Sequence, residues 1–239
     1  MAANLKTTLK KRLAAERIAH EIKNPLFPIR LSVENLQRAY QSKPHFSESS
    51  AKPEPAIFDE IFDECTETVI EEVECLQRMV DEFHQFAQMP APTRKPSNLN
   101  QIAQHVLDLY AESAAQVQIE TDLDSKLPPV SVDSEQITQA LGNLIKNATE
   151  AMSGGSTLKI STQLADGKKI QIEIRDTGIG ISAETQAKIF TPYYTTKEAG
   201  TGLGMSIVQR IITDHDGGLF VERVEGVGTT VRIELPVPA

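Results

Sequence analysis

Two stretches of helical periodicity separated by a loop constrain this chain more than any other feature. Between Leu5 and Tyr40, the residues Ile22, Ile29, Val33, Leu36 and Tyr40 recur at spacings of 7, 4, 3 and 4, an a/d stripe. Gln41 to Ala56 is rich in Ser, Pro and Lys and reads as a loop. A second stripe follows, through Ile61, Cys65, Val69, Val73, Leu76, Val80 and Phe83. Its opposite face carries Asp59, Glu60, Asp63, Glu64, Glu67, Glu71, Glu72 and Glu74, a solvated acidic face. Two long amphipathic helices joined by one loop make an antiparallel hairpin, and one hairpin cannot cover both apolar stripes. Two copies can, as a four-helix bundle, so the pattern predicts a homodimer.

Beyond the second stripe the periodicity changes. Pro90, Pro92 and Pro96 break the helix and predict a linker over 91–98. Leu99 to Ala114 and Asp133 to Met152 read as helices, the latter with Asp133 or Ser134 as N-cap. Val117 to Leu123, Thr157 to Leu164 and Lys169 to Arg175 read as strands, the last two joined by Asp166-Gly167. A Gly-rich stretch leads into a helix from Leu203 to His215, ended by Gly217-Gly218. Leu219 to Val224 and Thr229 to Leu235 read as a closing hairpin. The elements interleave without a repeating βαβ rhythm, which favours an α/β sandwich. The expected class is α+β: a helical hairpin over 1–90, the linker, and a mixed domain over 99–239.

Composition narrows the function. A formal net charge of −9 disfavours non-specific nucleic-acid binding, because phosphates are repelled. No apolar run approaches the roughly 18–20 residues of a membrane span, and the basic N-terminus lacks a signal peptide's apolar core. The chain as given is expected in the cytoplasm. A helical pattern beginning near Leu5 suggests a piece of a longer protein anchored upstream in the inner (plasma) membrane. Cys65 and Cys75, about 15 Å apart along one helix, cannot bridge within the chain.

Candidate chemistry begins at His20. It lies roughly 160° around the helix from Ile22 and so points to solvent. Glu21 beside it can orient or deprotonate the imidazole, and Asn24 lies one turn on. Pro25 and Pro28 each remove a helical hydrogen bond just below, predicting a bend. A second constellation is built from spaced pieces. NLIKNATEA puts Asn143 and Asn147 one turn apart, where two amide oxygens suit Mg²⁺. DTGIG puts Asp176 at a strand end before Gly178 and Gly180. GTGLG puts Gly200, Gly202 and Gly204 at a helix start, where backbone N–H groups suit phosphate.

Together these pieces resemble the histidine kinase family. AHEIKNP resembles its H box, NLIKNA the N box, DTGIG the G1 box, FTPYYTTK the F box and GTGLG the G2 box, and GVGT resembles the final glycine turn. HEIKNPLFPIRLSVENL with RMVDEFHQFAQMPAP is similar to the nitrogen-regulation sensors of NtrY type. The resemblance implies a HisKA-type dimerisation and phosphoacceptor hairpin, then a Bergerat (GHKL) ATP-binding domain. On that pattern His20 matches the phosphoacceptor, Glu21 its acidic partner and Asn24 the residue that positions water for dephosphorylating the partner. Asn143 and Asn147 match the Mg-ATP asparagines, and Asp176 the carboxylate that reads the adenine amino group. Gly178, Gly180, Gly200, Thr201, Gly202, Leu203, Gly204 and Thr229 fall around the nucleotide, with Lys197 on a lid over Phe190 to Thr201. Cofactors ATP and Mg²⁺, and a response-regulator receiver domain of NtrX-like type as partner, follow from the same resemblance.

Phe27 departs from the family's usual polar residue, and Met205 from a common Leu. With few apolar residues in Thr191 to Gly202, the lid is expected to be loosely held without nucleotide. A hydrolytic ATPase of the same fold would carry a carboxylate where Asn143 stands, since an amide cannot serve as general base. A dimeric scaffold without catalysis would show damage in at least one box, and none is damaged.

Overall fold

The structure is a computed structural model and describes residues 22, 24–40, 55–110, 117–152, 154–166, 168–197, 200–224 and 226–237. The chain divides into two compact units, Met1–Ala87 and Gln88–Ala239.

The first unit is helical. Helix α1 covers residues 24–40 and runs through Pro25 and Pro28, and α2 covers Pro55–Gln88. Pro25 and Ser32 on α1 and Cys65 on α2 are buried. Leu26, Val33 and Tyr40, spaced by seven, stay exposed in the single chain, as do Ile70, Val73 and Val80 on α2. Cys65 and Cys75 are both free thiols.

The second unit is a five-stranded mixed sheet covered by helices. Its strands are β2 (Gln118–Leu123), β4 (Thr157–Ala165), β5 (Lys169–Asp176), β6 (Gly218–Val224) and β7 (Gly228–Pro236), in the order β2-β4-β5-β7-β6. Only β2 and β4 run parallel; the other neighbours pair antiparallel. Helices α3 (Leu99–Tyr110), α4 (Ser134–Glu150) and α6 (Gly204–Asp214) supply the apolar cover. Period-two alternation turns Ile170, Ile172 and Ile174 inward on β5, where Ile137, Leu141, Ile145, Ile207 and Ile211 complete the core. Each buried aliphatic side chain stabilises the fold by about 1.5–3 kcal/mol.

Three elements escape the sequence pattern. Strand β3 (Val130–Val132) and helix α5 (Ala183–Lys188) are too short to show a period. The third lies where the prolines predict a linker over 91–98. There Lys95–Ser97 forms β1, antiparallel to β3, with Pro96 in the pair. Proline is tolerated because the pair is a two-stranded edge. The preceding residues are held by side chains: Gln136 Nε2 donates to Pro90 O at 3.0 Å, and Thr93 N–H to Asp133 Oδ2 at 2.8 Å. Helix α6 ends just before Gly217-Gly218, with the Gly217 N–H donating to Ile212 O at 2.9 Å. Asp216, not a glycine, takes the left-handed conformation (φ 56°), and its carboxylate pairs with Arg94 at 2.7 Å.

Candidate functional site

The inward register of β5 ends on a carboxylate. Asp176 follows Ile170, Ile172 and Ile174 in phase and is 6% exposed. Its Oδ1 accepts from Gly178 N–H at 2.9 Å and Thr229 N–H at 3.1 Å, so the DTGIG turn and the start of β7 meet on one oxygen. Burial pushes the Asp176 carboxyl above its ordinary value, and these N–H donors offset only part of that rise. A buried carboxylate with Oδ2 outside those two bonds suits an amino-group donor such as the adenine edge. Gly178 cannot carry a side chain, since a Cβ would fall on the Ala151 carbonyl oxygen. That oxygen accepts the Ile179 N–H at 3.1 Å and sets the turn that leads on to Gly180.

Helix α4 supplies the facing wall. Asp133 is its N-cap, its side chain accepting from Glu135 and Gln136 N–H. Burial pushes that carboxyl up, but the Thr93, Gln136 and Glu135 N–H groups outweigh it and hold it below the usual carboxylate range. Two turns and more along α4, Asn143 and Asn147 share one half-buried face. A Cβ on Gly204 would lie 3.7 Å from Asn143 Oδ1 and 4.0 Å from Asn147 Nδ2, so the first residue of α6 packs beside both amides. Leu203 is 1% exposed and anchors that helix start without a side-chain cap, which leaves the first-turn N–H groups for a ligand. Thr201 Oγ1 reaches the Leu203 N–H at 3.4 Å.

The lid expected to be loosely held makes specific contacts among its described residues. Tyr193 is 6% exposed and its N–H donates to Gly202 O at 2.9 Å. Both residues have positive φ, 64° and 68°. A Cβ on Gly202 would stand 2.5 Å from the Tyr193 carbonyl carbon, so only glycine fits. Neither the strained tyrosine nor this contact is visible in residue type alone. Within the lid, Lys197 Nζ lies 3.3 Å from Asn147 Oδ1 and pairs with the Glu150 carboxylate. Gly200 N–H donates to Lys197 O at 3.3 Å and closes the turn. Glu150 is a site residue that motif matching passes over, although it stands one turn after Asn147 on the same face.

The residues present fit Mg-ATP. Asn143 and Asn147 offer neutral oxygen donors, and an ammonium already stands at the Asn147 oxygen, so positive charge is accommodated there. His20 and Glu21 lie outside the described residues. Asn24 is exposed on α1, and Phe27, 59% exposed, stacks under the Arg30 guanidinium at 5.6 Å.

Comparison with known proteins agrees with this geometry. The model of the histidine kinase-, DNA gyrase B- and HSP90-like ATPases matches residues 132–239, and that of the His kinase A phosphoacceptor domain matches residues 10–92. The nitrogen regulation protein NtrY of Azorhizobium caulinodans is 36% identical over 92% of this chain and 28% of its own length. The sensory histidine kinase/phosphatase NtrB of Rhodobacter capsulatus is 33% identical over 93% of this chain and 61% of its own length. The chain thus spans under two thirds of these curated relatives. Among solved structures, the catalytic domain of histidine kinase ThkA is 32% identical with a TM-score of 0.55, covering 60% of this chain and 95% of that one. ThkA in complex with its response regulator TrrA matches 98% of this chain and 64% of that one, at 24% identity and a TM-score of 0.72.

Proposed function

The chain belongs to the sensor histidine kinase family, and from that premise we propose that it phosphorylates its own His20 from Mg-ATP and passes the phosphoryl group to an aspartate of a response-regulator receiver domain. The carrying observation is the convergence in one unit of Asp176, the Asn143 and Asn147 amides and the uncapped start of α6. Asp176 is suited to fix the adenine end. The N–H groups of Gly202 and of the first turn of α6 from Gly204 are suited to the phosphate chain. Asn143 and Asn147 are the residues that would hold Mg²⁺, which supplies charge neutralisation on the phosphates when bound. A His20 nitrogen attacks the γ-phosphorus, the bond to the β-phosphate bridge oxygen breaks, and ADP leaves. Glu21 takes the proton that the imidazole loses.

The same unit argues for transfer over hydrolysis, because the amide of Asn143 cannot deprotonate water. The exposed Leu26, Val33 and Tyr40 stripe supports a homodimer, in which a second copy covers it. The likeness to NtrY supports a nitrogen-regulation sensor type with an NtrX-like receiver as partner. Among the described residues no helix is long and apolar enough to cross a membrane.

Incubation with γ-labelled ATP tests the reading. The expected label is acid-labile and base-stable, as phosphohistidine is. It disappears in His20→Gln while that variant still binds Mg-ATP. Labelling that persists in His20→Gln would falsify the assignment.

A further inference from the structure

The lid lysine is held at the mouth of the nucleotide site by a residue that no motif claims. Lys197 Nζ stands 3.3 Å from Asn147 Oδ1 and pairs with Glu150. An amide oxygen alone is a weak anchor for an ammonium; the Glu150 carboxylate supplies the charge. Asn147 and Glu150 sit at i and i+3 on α4, so amide and carboxylate lie side by side on one face. The lysine backbone is fixed from its own side: Thr195 Oγ1 accepts the Lys197 N–H at 3.0 Å, and the Gly200 N–H caps the Lys197 carbonyl at 3.3 Å. Backbone and ammonium are therefore both tethered, and the lid is tied to α4 across 47 residues of sequence.

We propose that Glu150 is a positioning residue that holds Lys197 as an internal counter-cation over Asn147, and that an incoming metal–nucleoside triphosphate must displace it to use the same oxygen. The proposal rests on the Mg-ATP reading above. Asn147 Oδ1 cannot serve an ammonium and a divalent cation at full strength together, because the two charges repel at that distance. Release of Lys197 from Glu150 also frees the lid to re-close over a triphosphate, to which the ammonium is then attracted. The strength of the pair is suited to this exchange. Its side chains remain 41% and 40% exposed, which places it among ion pairs worth little in water. A strong buried pair would exclude the nucleotide. A weak one sets a competition that the binding-competent fraction of the free protein determines.

The test is Glu150→Gln in the full chain, with Glu150→Asp as the charge-keeping variant. Three quantities are read: affinity for Mg–AMPPNP by calorimetry, amide exchange at 191–197 and 200–202 without nucleotide, and the salt dependence of that exchange. Glu150→Gln is expected to bind Mg–AMPPNP about 2- to 5-fold more tightly, as loss of an exposed competing pair allows. Its nucleotide-free lid exchanges faster than wild type, and salt no longer alters that rate, whereas wild-type protection falls as salt rises. Glu150→Asp retains salt-sensitive lid protection. Affinity that is unchanged or weaker in Glu150→Gln, or lid exchange equal to wild type, overturns the proposal. A wild-type chain that binds no Mg–AMPPNP overturns instead the nucleotide reading on which it stands.

Discussion

Asp133 and His215 join the two helices that carry the site, the Asp133 N–H donating to His215 Nε2 across 3.0 Å. With Nε2 as acceptor, the proton resides on Nδ1, which donates to Ile211 O at 2.7 Å. The ring is 1% exposed. A helix-ending histidine invites the reading of a solvent-facing cation on the helix dipole; here it is a buried staple using both nitrogens. It pins the end of α6 to the start of α4, while at the other end Gly204 meets Asn143 and Asn147.

His215→Ala should therefore destabilise the second unit. It orphans the Asp133 N–H and leaves a cavity, together costing about 2–4 kcal/mol. A melting temperature within about a degree of wild type would remove the staple from the account.

Asp176 gives a pH-dependent prediction. A buried carboxyl that keeps its proton more readily in the fold than in the unfolded chain stabilises the fold at low pH. That contribution is lost as pH rises through the folded-state value. At neutral pH the nucleotide-free fold thus bears the cost of a desolvated negative charge. Asp176→Asn keeps an acceptor for Gly178 and Thr229 and sheds the charge. Its melting temperature relative to wild type should climb between about pH 4 and pH 7, while affinity for ATP falls at least tenfold. An offset that stays flat across that range contradicts this account of the buried charge.

The exposed stripes on the helical unit give a third. Leu26, Val33, Val73 and Val80 are each more than two fifths exposed in the single chain. In a dimer those positions lose water, and a carboxylate placed there would be buried unpaired. Light scattering should find the chain dimeric at micromolar concentration and Val33→Glu with Val80→Glu monomeric. Dimers that survive both substitutions would move the interface elsewhere.

How far residues alone announce this architecture depends on the range of the forces involved. Long periodic segments declare themselves: the stripe over Ile61 to Val80 lies within α2, and alternation over Lys169 to Arg175 recovers β5. Asn143, Asn147, Asp176 and Gly204 are legible because each motif is local; the structure packs Gly204 beside both amides and Asp176 against Gly178 and Thr229. Glu150 and β1 are not legible because each is defined by a partner far away in sequence, and Tyr193 because its strained backbone and its partner lie outside any pattern of residue types. Glu150 acquires meaning from Lys197, Tyr193 from Gly202, and β1 from Val130 to Val132. Three prolines near β1 even point the other way, since their local effect is to break structure.

Asn24 carries the last prediction, that the protein also dephosphorylates its partner. The residue is exposed on α1, one helical turn after His20 in sequence. On a continuous helix that spacing would put its amide on the face of the histidine, toward an incoming aspartyl-phosphate. An amide can hydrogen-bond a water and aim it at phosphorus without becoming a nucleophile itself. Pro28 has no N–H, so the Asn24 carbonyl lacks its helical donor and offers that water a second acceptor. Positioning one water in this way is worth about 10²- to 10⁴-fold in rate. Asn24→Ala should slow partner dephosphorylation by about that factor, with His20 labelling and melting temperature close to wild type. A residue that only supports the backbone near Pro25 and Pro28 would behave differently, lowering the melting temperature and depressing both activities together. Following all three readouts in one preparation separates the cases, and dephosphorylation at the wild-type rate in Asn24→Ala rules out the water-positioning role.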